Sequence, residues 1–294
     1  MKKLQQCKGF IPVPFLCARL TPPNIRLPRY GEEVAYLIRE MFAWLLNFIE
    51  AAGDLGIFGA RAARELFRPP FEVSEVTNQV LDLGTRSVPL ILVSGLALGM
   101  VMALHSSESM SRFGAEALVP AAVSIGMIRV LGPLVTGLLI SGRVGAGIGA
   151  QLAGMRVTQQ IDAIEALAVD SFKYLVVTRV LACVLVLPIL TVLMDFSGVA
   201  GGMLLQMAFT HMSVKLFIHD AFAPLSLSDY VPTVLKTTVF GLIIGVVASY
   251  IGYNAKGGAH GVGLASTRSV VMCSLLLILI DVILVKLSFF WTGS

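Results

Sequence analysis

Long runs of apolar residues occupy most of the chain after about residue 88. Five of these runs approach the length of about 20 residues that a helix needs to cross about 30 Å of hydrocarbon. We therefore predict five transmembrane helices, at Val88 to Leu104, Ala117 to Ser141, Leu175 to Met194, Thr233 to Tyr250 and Val270 to Phe290. The first run is the shortest, so we expect its helix to tilt little or to stop short of a full crossing.

A different pattern covers residues 32–66, where apolar side chains such as Val34 and Leu37 recur every three or four positions among charged ones. This spacing is typical of an amphipathic helix. We expect the helix to lie in the lipid headgroup region, and a soluble helix packed on a partner is the alternative. Gly53 and Gly56 are expected to interrupt it.

These patterns divide the chain into three parts. Residues 1–30 contain five prolines, which break any helix, and we expect them to form a flexible cytoplasmic tail. Residues 31–70 are assigned to the interfacial amphipathic helix. Residues 71–294 are assigned to a transmembrane domain.

A polar insert at residues 142–170 separates the second and third apolar runs. Its first half is rich in glycine, and its second half carries Val157, Ile161, Ile164 and Leu167 at helical spacing among charged residues. The pattern predicts a short amphipathic helix between two spans. The glycines also fit the relaxed dinucleotide-binding fingerprint, but that fingerprint follows a β-strand of a soluble fold, and an apolar run precedes it here.

Composition agrees with an all-α polytopic membrane protein. Hydrophobic residues make up 56% of the chain and charged residues 14%, and the mean hydropathy is +0.84. The sequence has no GxxxxGK[ST] loop, so any ATP that drives it must be hydrolysed by another subunit. We expect no catalytic residue, no metal site and no cofactor bound by this chain. The net charge of +4 requires no nucleic acid, because lipid headgroups account for it.

The basic residues predict the orientation in the membrane. Most of those outside the apolar runs precede the first run, whereas the loop after it holds only Arg112. The positive-inside rule then places the N-terminus in the cytoplasm. With five spans, the polar insert is also cytoplasmic and the C-terminus lies outside.

Several charged residues lie inside or at the ends of the apolar runs: Arg129, Arg179, Asp195, Asp281 and Lys286. Each costs a few kcal/mol at the bilayer centre unless it is paired, faces water or snorkels. We interpret Arg129 as functional. Asp281 and Lys286 are five residues apart and share a helix face poorly, so Lys286 is expected to snorkel towards the interface.

Small residues are closely spaced in several runs, a pattern that lets helices approach closely in lipid, within a bundle or across a dimer. The sets are Gly95 with Gly99, Gly145 with Gly149, Gly198 with Gly201 and Gly202, and Gly241 with Gly245. The alternative, which is favoured for any single pair, is that glycine is simply commoner in membrane helices.

Five motifs in the transmembrane domain resemble a known family. They are Arg129-Val-Leu-Gly-Pro-Leu, Ser141-Gly-Arg-Val-Gly-Ala, the stretch from Gly154 to Asp170, Pro188-Ile-Leu-Thr-Val-Leu-Met-Asp195, and the stretch from Gly257 to Thr267. From Phe71 to the C-terminus the chain resembles the MlaE/YrbE permeases of ABC-type lipid transport systems associated with MCE proteins. The resemblance implies a homodimeric permease in the bacterial inner membrane that moves phospholipid between the inner and outer membranes.

The resemblance also implies partners and site residues. The partners are a cytoplasmic ABC ATPase that binds ATP and Mg, a small STAS-domain subunit, and a periplasmic hexamer of MCE domains. Residues implied in coupling to the ATPase are Arg143, Gln151, Arg156, Thr158, Gln159, Asp162, Glu165 and Asp170. Residues implied in a lipid cavity are Leu96, Met100, Leu104, Met127, Arg129 and Leu131.

The chain departs from the family pattern at four positions. Val130 replaces the usual acid after Arg129, so the arginine is expected to meet lipid phosphate or another partner. Gln151 and Gln159 stand where Glu is common, which removes two charges from the surface offered to the ATPase. Ser171 replaces a proline, which should relax the helix end.

Two other functions remain open at this stage. One is a membrane scaffold whose insert recruits a cytoplasmic partner without transport. The other is an ion-coupled carrier for small solutes, which predicts inverted repeats, and the sequence displays none.

Overall fold

The computed structural model describes residues 53–66, 73–168, 170–210 and 212–292, and within these ranges the regular structure is helical, without a β-strand. Residues 53–66 form α1. The later helices are α2 (Val73–Ser111), α3 (Val119–Gly126), α4 (Gly132–Ile140), α5 (Ala146–Val157), α6 (Gln160–Ala166), α7 (Thr178–Thr210), α8 (Val214–Phe222), α9 (Leu227–Tyr253) and α10 (Gly258–Thr292). The predicted all-α class is confirmed.

The N-terminal predictions lie largely outside these ranges. The chain divides into two compact units, Met1–Ile57 and Phe58–Ser294, and the proposed tail and most of the proposed interfacial helix belong to the first. Within α1, Gly53 and Gly56 are both helical. The expected interruption at these two glycines is therefore wrong.

Five helical segments are long and apolar enough to cross a membrane, as the sequence predicts. They are Val73–Ser111, Glu116–Val157, Lys173–Thr210, Tyr230–Tyr253 and Gly258–Leu287, and we refer to them as the first to fifth spans. Each extends beyond the predicted apolar run on at least one side. Hydropathy marks only the part of a helix that suits hydrocarbon, whereas the backbone hydrogen bonds continue into polar sequence.

The first span is the clearest correction. We expect its helix to tilt little or to stop short of a full crossing, yet its 39 residues give a helix about 58 Å long, which is enough to cross. Its first turns contain Asn78, Asp82 and Arg86, which are polar and therefore absent from the apolar run. Arg86 and Asp82 pair along the helix at 2.8 Å, so the polar part is a regular continuation of the same helix.

The second span contains two π-helical turns, at Met127–Leu131 and Ser141–Gly145, and the third span begins with another at Lys173–Val177. A π turn disturbs the regular backbone pairing of a helix, and in a membrane the affected carbonyl needs another donor. The hydroxyl of Thr233, on α9, donates to the carbonyl oxygen of Ile128 at 3.3 Å. The first π turn is thereby tied to the fourth span.

Glycines bring α2 and α7 into backbone contact. A Cβ added to Gly99 would overlap the carbonyl oxygen of Gly198, and one added to Gly201 would overlap the carbonyl oxygen of Leu96. In lipid, packing of this kind replaces the hydrophobic effect as the force that holds helices together. The predicted close approach at these glycines is confirmed, and it occurs inside one chain.

Glycines also bring α9 into close contact with α7. A Cβ on Gly241 would lie 2.6 Å from the carbonyl oxygen of Cys183, and one on Gly245 would lie 2.8 Å from the Cα of Val180. The helix α10 packs against α5 and α9. The glycine-rich α5 is thus part of the helix bundle.

We predict that Gly99→Ala lowers the free energy of unfolding by about 1–3 kcal/mol or more, because the new methyl group meets backbone that cannot rotate away. Gly147→Ala is the matched control, since nothing lies within 4 Å of its added Cβ. That variant should be neutral or gain up to about 1 kcal/mol from helix propensity. Thermal unfolding of the two purified variants in detergent tests the difference, and equal midpoints would contradict it.

Candidate functional site

The first half of the polar insert belongs to the same helical segment as the second span. The second span continues without a break through α5 to Val157, so the glycine-rich half of the insert is the end of a 42-residue helical segment. The helix therefore continues past Ser141, where the predicted apolar run ends. A helix of this length measures about 63 Å, which carries its far end well past the hydrocarbon.

A sharp turn at Thr158 and Gln159 redirects the chain into α6. Gln159 has a φ of 59°, in the left-handed region that a side chain normally disfavours. The Thr158 hydroxyl donates to the carbonyl oxygen of Gly154 at 2.9 Å and so closes the end of α5. These two residues, both predicted to contact an ATPase, therefore shape the turn and are also exposed.

The short helix α6 has one buried face. Ile161 is fully buried, Ile164 is half-buried, and Leu167 just beyond the helix is 77% exposed. The predicted amphipathic helix is present, although it is only seven residues long. An exposed leucine at the end of such a helix is an apolar point on an otherwise polar surface.

Three predicted coupling charges, Arg156, Asp162 and Glu165, have partners within the chain. Arg156 at the end of α5 pairs with Asp162 on α6 at 2.7 Å, and its guanidinium lies 6.0 Å from the centre of the Tyr253 ring. Glu165 accepts hydrogen bonds from the hydroxyls of Ser171 and Tyr253. Sequence patterns did not reveal these contacts, since Tyr253 lies 88 residues from Glu165.

The remaining predicted coupling residues differ in their surroundings. Asp170 accepts the backbone N–H groups of Phe172 and Lys173, at 3.1 and 3.3 Å, and so caps the start of the third span. Arg143 is half-buried in the second π turn, whereas Gln151 is exposed on α5. Contact of these residues with an ATPase stays a prediction.

An aromatic cluster lies beside α6. The ring of Phe58 packs edge-on against Phe172 at 5.0 Å and against Tyr250 at 5.4 Å, and the ring of Tyr253 lies 6.3 Å from that of Phe172. The guanidinium of Arg61 stacks over Phe172 at 4.3 Å. We call Phe58, Phe172, Tyr250 and Tyr253 the aromatic cluster.

The residues predicted to line a lipid cavity do not share one environment. On α2, Leu104 is exposed, whereas Leu96 and Met100 are half-buried. Arg129, in the first π turn of the second span, is exposed, and Leu131 is half-buried.

Met127 is the exception among these residues, because it is fully buried. It belongs to an apolar cluster with Ala103, Val119 and Val123, and its side chain fills the space over Gly198. This position is part of the packed core of the chain. The lipid cavity therefore stays a prediction, and Met127 is the residue least accessible to a lipid.

Sequence reasoning missed the buried ion pair between the fourth and fifth spans. Lys236 Nζ on α9 lies 2.5 Å from Asp281 Oδ1 on α10, and both side chains are nearly inaccessible. From the sequence, we compare Asp281 only with Lys286 on its own helix. Lys236 lies inside the apolar run from Thr233 to Tyr250, and a lysine in such a run could have indicated an acidic partner on another span.

Asp195 is another buried acidic residue, near the middle of the third span. Neither carboxylate oxygen has a hydrogen-bond partner in the part of the chain that the structure describes. Its carboxylate lies where a Cβ on Gly132 would stand, directly after the first π turn. The glycine therefore makes room for this carboxylate between the second and third spans.

The chain is similar to known membrane permeases. The sequence profile of the family described as Permease MlaE matches residues 76–287, from the first turns of α2 to the end of the fifth span. A probable ABC transporter permease protein of Rickettsia typhi is 36% identical over 244 residues, which cover 83% of this chain and 94% of that protein.

Two further relatives show the same range of similarity. A probable ABC transporter permease protein of Synechocystis is 35% identical over 217 residues, or 74% of this chain and 82% of that protein. The intermembrane phospholipid transport system permease protein MlaE of Haemophilus influenzae is 31% identical over 248 residues, or 83% of this chain and 94% of that protein.

We predict that Lys236→Met or Asp281→Asn alone destabilises the protein by about 3–5 kcal/mol, because each leaves a buried charge without its partner. Replacing both by apolar residues, Lys236→Met with Asp281→Leu, should cost less than either single change. Lys286→Met on the exposed face of α10 is the control and should stay within about 0.5 kcal/mol of the parent. Additive losses in a double-mutant cycle of thermal unfolding would contradict the coupling.

We predict that Gln159→Gly stabilises the turn by up to about 1 kcal/mol, because glycine adopts a positive φ without steric cost. Thr158→Gly is the neighbouring control and should destabilise, since Thr158 has a φ of −86° and loses its hydroxyl bond. Thermal unfolding of both variants provides the measurement. A lower midpoint for Gln159→Gly would show that its side chain, rather than the turn, is what matters there.

Proposed function

The chain belongs to the MlaE permease family, and from that premise we propose that it is the membrane-spanning subunit of an ABC-type transporter that moves phospholipid between two membranes. The observation that carries the proposal is the end of the second span. There a helix about 63 Å long ends in a tight turn and a short helix, α6, which together present an exposed surface outside the apolar spans.

We assign ATP hydrolysis to a separate cytoplasmic subunit that docks on this surface. The sequence has no phosphate-binding loop of its own, and relatives are named as permeases of ABC transporters. Exposed Gln151, Gln159 and Leu167 offer polar and apolar contacts around the turn. Arg156 and Asp162, which pair with each other, form the charged rim of that surface.

Phospholipid is the substrate we propose. The name of the Haemophilus influenzae relative supports it, as do the exposed Arg129 and Leu104 on the first two spans. An exposed arginine beside apolar side chains suits a lipid phosphate whose tails lie along the helices. Val130 next to it is apolar and 43% exposed.

Membership of the family also supports a proposal for the larger assembly. We propose a homodimer in the bacterial inner membrane, with a small STAS-domain subunit and a periplasmic hexamer of MCE domains as further partners. The excess of basic residues before the first span supports a cytoplasmic N-terminus and a periplasmic C-terminus.

The direct test is purification of the full chain from its native membrane in mild detergent, followed by native mass spectrometry. We expect an ABC ATPase and bound phospholipid to accompany the chain. Recovery of a cytoplasmic partner without lipid would instead support a scaffold, and recovery without an ATPase would contradict the proposal.

We predict that Leu167→Asp weakens assembly with the ATPase by about tenfold or more, because it places a charge at the centre of an apolar contact. The side chain is mostly exposed, so folding should not change. Phe113→Asp is the matched control: Phe113 is 84% exposed in the loop before the second span, at the opposite end of that helix. Pull-down of the ATPase by each variant measures the effect, and equal recovery would place the docking surface elsewhere.

A further inference from the structure

Three side chains from separate parts of the chain meet in one hydrogen-bonded group. The Ser171 hydroxyl donates to Glu165 Oε1 at 2.6 Å. The Tyr253 hydroxyl lies 3.3 Å from the same oxygen and 3.1 Å from the Ser171 hydroxyl. We call these three residues the Glu165 group. It links α6 to the segment just before the third span and to the last residue of the fourth.

The chemistry of the group favours a firm link. Glu165 accepts from Ser171, and the single proton of the tyrosine hydroxyl goes either to the carboxylate or to the serine oxygen. Hydrogen bonds to a carboxylate are stronger than those between neutral groups. Ser171 is buried and Tyr253 is half-buried, whereas Glu165 is exposed, so the bond between Ser171 and Glu165 is partly shielded from water.

The attachments of α6 show why this link matters. The helix contacts α5 and carries the fully buried Ile161, and the pair between Arg156 and Asp162 joins the same two helices. The Glu165 group reaches past α5, from α6 to the residues just before the third span and to the end of the fourth. A displacement of α6 relative to the bundle must therefore move or break it.

The fourth span leads from this group into the bundle. Tyr253 ends α9, and Lys236 lies 17 residues earlier, about 26 Å along the same helix. Lys236 is the residue that pairs with Asp281 on the fifth span. Helix α9 therefore connects the Glu165 group directly to the buried ion pair.

We infer that the Glu165 group transmits movement of α6 to the fourth span, which makes Glu165, Ser171 and Tyr253 positioning residues for the coupling of ATP hydrolysis to transport. The inference rests on the proposed function, and it changes the role assigned to Glu165. The carboxylate faces the chain's own hydroxyl groups, so its main partner is internal and not a cation of the ATPase.

Substitution by glutamine separates these two roles. A glutamine amide has nearly the shape of the carboxylate, and its oxygen still accepts from Ser171 and Tyr253. Glu165→Gln should therefore retain most of the function, whereas Glu165→Ala should lose it. If Glu165 instead formed an ion pair with the ATPase, both variants would lose the charge and fail alike.

The experiment uses the full chain assembled with its ATPase and with the proposed STAS-domain and MCE-domain partners in liposomes of phosphatidylethanolamine and phosphatidylglycerol. The quantity measured is the amount of fluorescent phosphatidylethanolamine moved per ATP hydrolysed. We expect Tyr253→Phe and Glu165→Ala to lower this ratio by about threefold or more, with assembly and ATPase rate within about twofold of the parent. Glu165→Gln should retain at least half of the ratio.

Tyr250→Phe is the matched control, since Tyr250 lies one turn away in the same aromatic cluster and its hydroxyl makes none of the three bonds. It should behave as the parent. A parental ratio in Tyr253→Phe, or equal failure of Glu165→Gln and Glu165→Ala, would overturn the inference while the proposed function stands. Absence of ATP-driven transport in the parent chain would contradict the proposed function itself.

Discussion

Backbone contact between α2 and α7 is the constraint on which the rest of the structure depends. Lipid tails are as apolar as the side chains of these helices, so burial alone gives the helices little reason to associate. Gly99 and Gly198 remove the side chains that would hold the two backbones apart. The third span, to which α7 belongs, is then the central one: 67% of its apolar stretch is buried, against 17% in the fifth span.

Charges within the spans act as a second constraint, because each must be compensated where it lies. Lys236 and Asp281 compensate each other and so fix the fourth span against the fifth. The carboxyl group of Asp195 has no hydrogen-bond partner among the described residues, and it occupies the space that Gly132 leaves open between the second and third spans. Packing and electrostatics thus specify different pairs of helices, and together they leave few alternative arrangements.

The sequence predicts the spans well and their partners poorly, for a physical reason. Apolar runs are local, so five spans and the glycine contacts were readable from composition and spacing. The ends of the helices were not readable in this way. The first apolar run begins at Val88, whereas the helix that contains it begins at Val73. Lys236 lies 45 residues from Asp281 and Tyr253 lies 88 residues from Glu165, and no local pattern encodes such distant pairings. For this reason the contact between Glu165 and Tyr253 is not readable from the sequence, and contact of Glu165 with an ATPase stays a prediction.

The first π turn of the second span has a consequence for how this sequence can change over time. Its extra residue disturbs the backbone near Ile128, and the hydroxyl of Thr233 on another helix supplies a donor to that carbonyl. Removing the extra residue would leave the hydroxyl without its acceptor, and removing the hydroxyl would leave a carbonyl poorly satisfied in hydrocarbon. The two features can be gained or lost at low cost only together, so descendants of this chain should inherit them as a pair.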